Sequence, residues 1–405
     1  MKFSWLSAVR GLSLPVLLLA VTGACSSDDG TTDIGTGPTT NAVLENYAAN
    51  LHAAYAESVK DTEALKVALQ TLVATPSAAN LEAAKAAWLA SRANYMLTEG
   101  ARFYDGPIDA EPANHEGAVN SWPFDEAYID YVVDGPTRSE EQGPGTGGII
   151  ADATIELTAD NLDALNGEGG DENISAGWHA IEFLLRGQAL EEVGPGQRTF
   201  NDYVLTDPVR GATAERRGQY LIAVVDGILG HLNALVKAWE PGATYRTEFV
   251  ANANDESVIN ALSGLGKMSK GELAGERINA GLESKERRDQ HNCFSSTTLV
   301  DYERDARGIR DMFLGNFGSN DGPGFDELVA AKDKDLAAKI EAQLNLSIDS
   351  IKGISVPFEA AIAGADSDPN RAKLIDVRES LRTQGDMFGQ AATALGLSLT
   401  IPEEN

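Results

Sequence analysis

Apolar side chains recur at helical spacing along most of this chain. Between 41 and 75 they fall at Val43, Leu44, Tyr47, Leu51, Ala54, Tyr55, Val59, Leu65, Leu69 and Leu72, one stripe of a long helix. Thr75-Pro76 restarts the pattern, with Thr75 read as an N-cap and Pro76 as the first helical residue. The second helix is expected to run to about Arg102 and to bury Leu81, Trp88, Leu89, Tyr95 and Phe103. Further helical segments are predicted over 213–239, 267–282, 299–314, 325–344, 348–362 and 370–395. Alternation with period two is scarce, and Val132-Val133 and Ile149-Ile150 are too short to build a sheet. The chain therefore reads as all-α, with long helices packed as bundles.

Irregular stretches interrupt the helices at 104–123 and 134–148, and a Gly-rich piece spans 166–171. Long loops inside a compact domain are more often functional than accidental. The pattern also breaks at 205–212, which places a boundary between an N-terminal part, 41–205, and a C-terminal part, 206–402.

The beginning of the chain points to export. Lys2 and Arg10 precede an apolar stretch over 12–21 that is too short to span a bilayer as a stable anchor. Gly23 and Ala24 then precede Cys25, so residues 1–24 resemble a lipoprotein signal peptide and Cys25 the lipidated first residue. Thr22 departs from the usual Leu, Val or Ile, and an ordinary secretory signal is the alternative. Ser26, with no Asp after Cys25, favours the outer membrane by resemblance to Gram-negative lipoproteins. Residues 25–40 read as a flexible tether. Only Cys25 and Cys293 are present, so a lipidated Cys25 leaves Cys293 without a disulfide partner.

Charge narrows the partners. Sixty-one acidic residues against 32 basic ones give a net charge of −29, and nearer −31 once the leader is removed. Nucleic acid is excluded as a partner, because phosphate binding requires clustered cations. An acidic surface enriches cations nearby, although solubility alone explains it as well.

The chemical candidate is Gly177-Trp178-His179-Ala180-Ile181-Glu182. On a helix, His179 and Glu182 share one face a turn apart, so an imidazole and a carboxylate can hold one cation. Spacing alone fits a hydrogen-bonded structural pair better. The second His of zinc peptidase motifs is absent, and two protein ligands are too few for a tight zinc site. Arg186 or Arg102 could neutralise Glu182 in place of a metal.

The segment GWHAIEFLLRG resembles the GxHxxE signature of the imelysin-like family. YMLTEGARFYDGPID (95–109), WPFDEAYIDYV (122–132), GPGQRTFNDYV (194–204), ERRGQYL (215–221) and GELAGERINAGLESKERRDQHNCFSSTTLVD (271–301) resemble its iron-regulated branch. The likeness runs from about 41 to 400. It implies two helical-bundle lobes with a site near their junction, an envelope location and a link to iron acquisition. Carried over residue by residue, it offers His179, Glu182, Glu99 and Asp125 as metal ligands, with Arg102, Asp105 and His291 as weaker candidates. Glu182 and His179 would also be the catalytic pair of a peptidase.

Departures put ligation from the second lobe in doubt. Gln290, Ser296-Thr297 and Leu299 stand where that branch carries Glu, Asp-Asn and a second His, and Arg186 stands where Trp is usual. Structural roles are available too. Glu99 and Arg102 can form an i, i+3 ion pair, Asp105 and Asp109 can make turns, and Asp125 can cap a helix. His291 in a run of charges can be a solvated side chain, Cys293 beside Phe294 a small buried hydrophobe. His115 and His231 have no evident partner.

The resulting expectation is a lipid-anchored envelope protein that binds a divalent or ferric ion or its chelate, iron ahead of zinc, for uptake with a membrane transporter or receptor. An imelysin-type metallopeptidase is the alternative, and a structural or partner-docking lipoprotein the third reading.

Overall fold

The computed structural model describes residues 37–123, 125–133 and 148–402. The leader, Cys25, most of the tether and the greater part of the 134–148 loop lie outside them.

The long first stripe folds as α1 (Thr40–Ala74), about 50 Å from end to end at the α-helical rise. The Thr39 side chain accepts from the Ala42 amide at 3.2 Å, and the predicted apolar positions are buried except Val59, which is half-buried. α2 spans Ala78–Met96. Its cap is Ser77, whose Oγ accepts from Asn80 N, not Thr75; Thr75 instead closes α1. Leu81, Trp88 and Tyr95 are buried as expected, while Leu89 and Phe103 are half-buried. The chain leaves α2 through a 3₁₀ turn, Glu99–Ala101.

The 104–123 stretch holds α3 (His115–Val119), capped by Asn114. Short α4 (Glu126–Ile129), α5 (Gly148–Ala151) and α6 (Ala159–Leu165) lead to α7 (Gly177–Arg186), which is buried over nearly all its length. After a 3₁₀ turn at Phe200–Tyr203 comes α8 (Gly211–Ala238). α8 begins inside the 205–212 break and lies along α1 and α7.

α9 (Thr244–Ala251) precedes a continuous helical run. α10 (Glu256–Lys267) passes into a π-helical stretch, Met268–Asn279, and then into α11 (Ala280–Ser284). The predicted 267–282 segment is thus the later part of a longer element. α12 (Thr298–Phe313) ends at a two-stranded hairpin, β1 (Asn316–Phe317) with β2 (Asn320–Asp321). The two segments predicted over 325–362 divide differently. α13 (Phe325–Ala330) stops early, α14 (Lys334–Lys352) begins under the Asp333 cap, and α15 (Phe358–Ala363) is separate. α16 (Pro369–Ala394) starts with its proline in the first turn, behind Asp368.

The fold is all-α apart from the hairpin. α1, α2, α7 and α8 pack on one another; α10, α12, α14, α16 and the π-helical stretch form a second group. One continuous core of buried apolar side chains runs through both. The segment 97–102 is the wedge between them. A Cβ on Gly308 of α12 would lie 2.4 Å from the Leu97 carbonyl oxygen, so only glycine admits that approach. The wedge delivers Glu99 and Arg102 into the interior.

Candidate functional site

The GxHxxE glycine has a backbone reason. Gly177 has φ +83°, and a Cβ there would sit 2.6 Å from the Val119 carbonyl oxygen at the end of α3. α7 can therefore start against α3 only with glycine at its head. Two tryptophans fix it sideways. Trp88 Nε1 donates to the Trp178 carbonyl at 2.8 Å, and Trp178 Nε1 donates to Ser91 Oγ at 3.0 Å.

Held this way, His179 and Glu182 meet as the spacing predicts. His179 Nδ1 lies 3.1 Å from Glu182 Oε2, and both side chains are sealed from solvent. The second carboxylate oxygen accepts from the Ser295 amide at 2.7 Å. Glu182 is thus already engaged at both oxygens. His179 Nε2 is buried and has no hydrogen-bond partner.

Against His179 stands His291, with ring centroids 4.7 Å apart at 77°. His291 is 2% exposed, so it is an interior residue and not a solvated one. Its Nδ1 lies 3.3 Å from Asp301 Oδ2 yet out of line for a hydrogen bond. Burial drives the pKa of both imidazoles well below the usual histidine range, and the charge of Arg92 on His179 and of Arg277 on His291 adds to it. Both rings are neutral, the form that ligates a metal.

Three arginines and five carboxylates form an ion-pair network that reaches the pair through Asp301. Arg92 Nη2 donates to Asp301 Oδ2 at 2.7 Å. Arg277 reaches Glu99 at 2.6 Å, Glu272 at 2.7 Å and Asp305 at 3.0 Å. Glu272 and Arg277 are five residues apart, a separation that the π-helical stretch brings onto one side. Arg102 contacts Glu99 at 2.9 Å and Glu116 at 3.2 Å. Burial alone would push Glu99 up, but Arg102 and Arg277 hold it down at about 2. Glu116 and Asp305 are pushed up by burial despite their arginines. Glu182, the carboxylate of the His179 pair, is pushed up by burial to about 7.

The remaining predicted residues fall elsewhere. Asp125 is buried and caps α4 through the Ala127 amide at 3.0 Å. Asp105 is exposed in a left-handed turn with φ 56°. Among the described residues no ion pair joins Arg186 to Glu182, so the substituted arginine does not lock the acid. Gln290 is buried and accepts from Thr298 Oγ1 at 3.1 Å, and Ser296 bonds Glu359. Cys293 is buried.

Sequence reasoning missed Arg92, Arg277, Asp301 and Asp305. The spacing of Asp301 and Asp305 around Tyr302 on α12 was a usable signal, since it puts both acids on the helix face that Tyr302 buries. His115 and His231 also find each other, with Nδ1 atoms 2.8 Å apart.

The donor chemistry suits a first-row cation. Orphaned buried atoms include His179 Nε2, His291 Nδ1, Glu99 Oε1 and Asp305 Oδ1, two imidazole nitrogens and two hard oxygens. Among the described residues, however, no three His, Cys, Asp or Glu side chains close around one point. The arginines hold these carboxylates in ion pairs.

A protein named iron-regulated protein A, from Synechococcus elongatus, is 23% identical over 310 residues, which cover 74% of this chain and 71% of that protein. The crystal structure of an iron-regulated protein A precursor from Parabacteroides distasonis superposes with a TM-score of 0.65 at 18% identity. That match covers 88% of this chain and 96% of the other, and shows a shared fold. The imelysin peptidase family profile matches residues 51–385, and over that span, which includes GxHxxE, its helix and the interior it enters, this chain belongs to the imelysin family.

Proposed function

We propose that this chain is an exported envelope protein, anchored through Cys25, that takes up an iron cation as cargo in the interior around His179 and His291. The observation that carries the reading is the meeting of two buried imidazoles, each with an unpartnered nitrogen, beside a network of carboxylates and arginines. The family and the names of its relatives point to iron; the acidic surface favours approach of a cation.

Charge favours a cation in this interior. Five carboxylates contact three arginines, leaving two negative charges in excess. Burial raises the proton affinity of Glu116 and Asp305 within that set. A cation would be drawn by that excess negative charge, with His179 and His291 as the nitrogen donors. In this arrangement Glu182 is not a shared ligand. Its bond to His179 Nδ1 fixes the ring so that Nε2 presents its lone pair, as carboxylates do behind metal-binding histidines.

Titration calorimetry of the purified protein with Fe2+ and Fe3+ tests this. His179→Ala combined with Glu182→Ala is expected to abolish the heat of binding. Retention of full affinity in that variant would remove the interior from the reading. A metallopeptidase is the second reading, favoured by one observation: a carboxyl brought to about 7 suits a general base at neutral pH. It requires chelator-sensitive cleavage of an unfolded protein substrate that Glu182→Gln eliminates.

A further inference from the structure

A second histidine pair lies outside the interior cluster. His115 opens α3, His231 sits on α8, and Asp163 lies on α6. His115 Nδ1 and His231 Nδ1 are 2.8 Å apart, and the opposite nitrogen of His231, Nε2, lies 2.9 Å from Asp163 Oδ2. The rings cross edge to face with centroids 5.1 Å apart. His231 is 17% and Asp163 31% exposed at the side chain, so the group opens to solvent.

The tautomers follow from the contacts. A carboxylate only accepts, so His231 Nε2 carries a proton and, in the neutral ring, Nδ1 carries a lone pair. The single proton between the two Nδ1 atoms then belongs to His115. In the other neutral tautomer of His115, with its proton on Nε2, two imidazole lone pairs converge on one point. A carboxylate on the far nitrogen of a ligating histidine fixes ring and tautomer and raises its basicity, as in carboxylate–histidine–zinc arrangements. Metal–nitrogen distances of about 2.0–2.1 Å at a tetrahedral ion set the two nitrogens roughly 3.3 Å apart. Small rotations of two partly exposed rings supply the difference from 2.8 Å. Imidazole pairs suit the late first-row divalent ions, and water completes the coordination.

We propose that His115 and His231 form a second, solvent-accessible, low-affinity binding site for a late first-row divalent cation of the Cu2+ or Zn2+ class, with Asp163 behind His231 as the orienting carboxylate. The site is independent of the interior cluster.

The experiment is a Cu2+ titration of the full chain followed by electron paramagnetic resonance. The wild type is expected to take up one equivalent at this site, beyond any held by the interior pair, whose spectrum shows coupling to two imidazole nitrogens, displaceable by excess Zn2+. His115→Gln with His231→Gln should lose that equivalent, and His179→Ala should keep it. Asp163→Asn should weaken it at least tenfold. Unchanged copper stoichiometry in the double variant, or a wild-type spectrum without two-nitrogen coupling, overturns the proposal. The spectrum of His179→Ala, which lacks the interior pair, is decisive even if the double variant fails to fold. Loss of the interior site in His179→Ala leaves this readout untouched, so the two readings fail separately.

Discussion

His179 and His291 meet ring against ring in the interior, whereas His115 and His231 meet nitrogen to nitrogen at the surface. Both pairs have a carboxylate behind one ring, Glu182 in the first and Asp163 in the second. Burial makes the difference. Inside, desolvation keeps the imidazoles neutral and forces every nearby acid to find an arginine or a proton. At the surface, water can solvate whatever the pair does not satisfy. The interior pair is therefore tied to the stability of the whole fold, and the outer pair is free to exchange ligand at small structural cost.

The comparison is tested most strongly at Glu99. It is 1% exposed, and its carboxylate is the shared partner of Arg102 and Arg277. Glu99→Gln leaves two buried guanidiniums short of a charge, a loss of about 3–5 kcal/mol by the behaviour of broken buried ion pairs. Chemical denaturation at pH 7 should show it. The sign with pH follows from the direction of the shift. Because Glu99 in the fold sits near 2, below its unfolded value, its contribution is complete above that unfolded value and fades as pH falls towards 2. The variant and the wild type should converge in acid. A constant difference across that range would mean that packing, and not charge, is what the residue supplies.

Glu182 should behave in the opposite sense. Its folded pKa of about 7 lies above the unfolded carboxyl value, so the folded protein holds a proton that the unfolded chain has released between the two. The native state is favoured below the unfolded value, and that advantage is lost as pH rises through 7. Glu182→Gln removes the loss and should be the more stable protein at pH 8, by about 3 kcal/mol at most, with no gain at pH 4. A variant destabilised equally at both pH values would show that the hydrogen bonds to Ser295 and His179 outweigh the buried charge.

The helices were legible because burial follows the 3.6-residue period almost without interruption in α1, α2, α8 and α16. Boundaries misled where polar residues sit inside a helix. Ser347 looks like a break but is buried and bonds back to Gln343 O at 3.1 Å, so α14 runs through it. His179 and Glu182 were legible because their contact is local. The rest of the interior was not, since Arg92 meets Asp301 across 209 positions and Glu99 meets Arg277 across 178. His291 shows the limit most clearly. The charged run before it suggests solvent, yet its neighbours Gln290 and Asn292 are buried with it, and tertiary packing decided the matter. His115 and His231 carried no local sign of each other, being 116 positions apart.

The smallest expected effect lies at the outer pair. Asp163 bonds His231 at 2.9 Å but remains 31% exposed, so water competes for both partners. Partly exposed contacts of this kind are worth about 0–1 kcal/mol. Asp163→Asn should therefore leave the denaturation midpoint nearly unchanged, while the amide, able to donate where the carboxylate only accepted, permits His231 to present the other tautomer. Nitrogen NMR of the imidazoles reads this directly: in the wild type the His231 Nε2 resonance should be that of a protonated nitrogen, and in the variant it should move towards the unprotonated position. A loss of several kcal/mol instead would place Asp163 among the structural acids, and the contrast between an interior pair that holds the fold and an outer pair that does not would no longer stand.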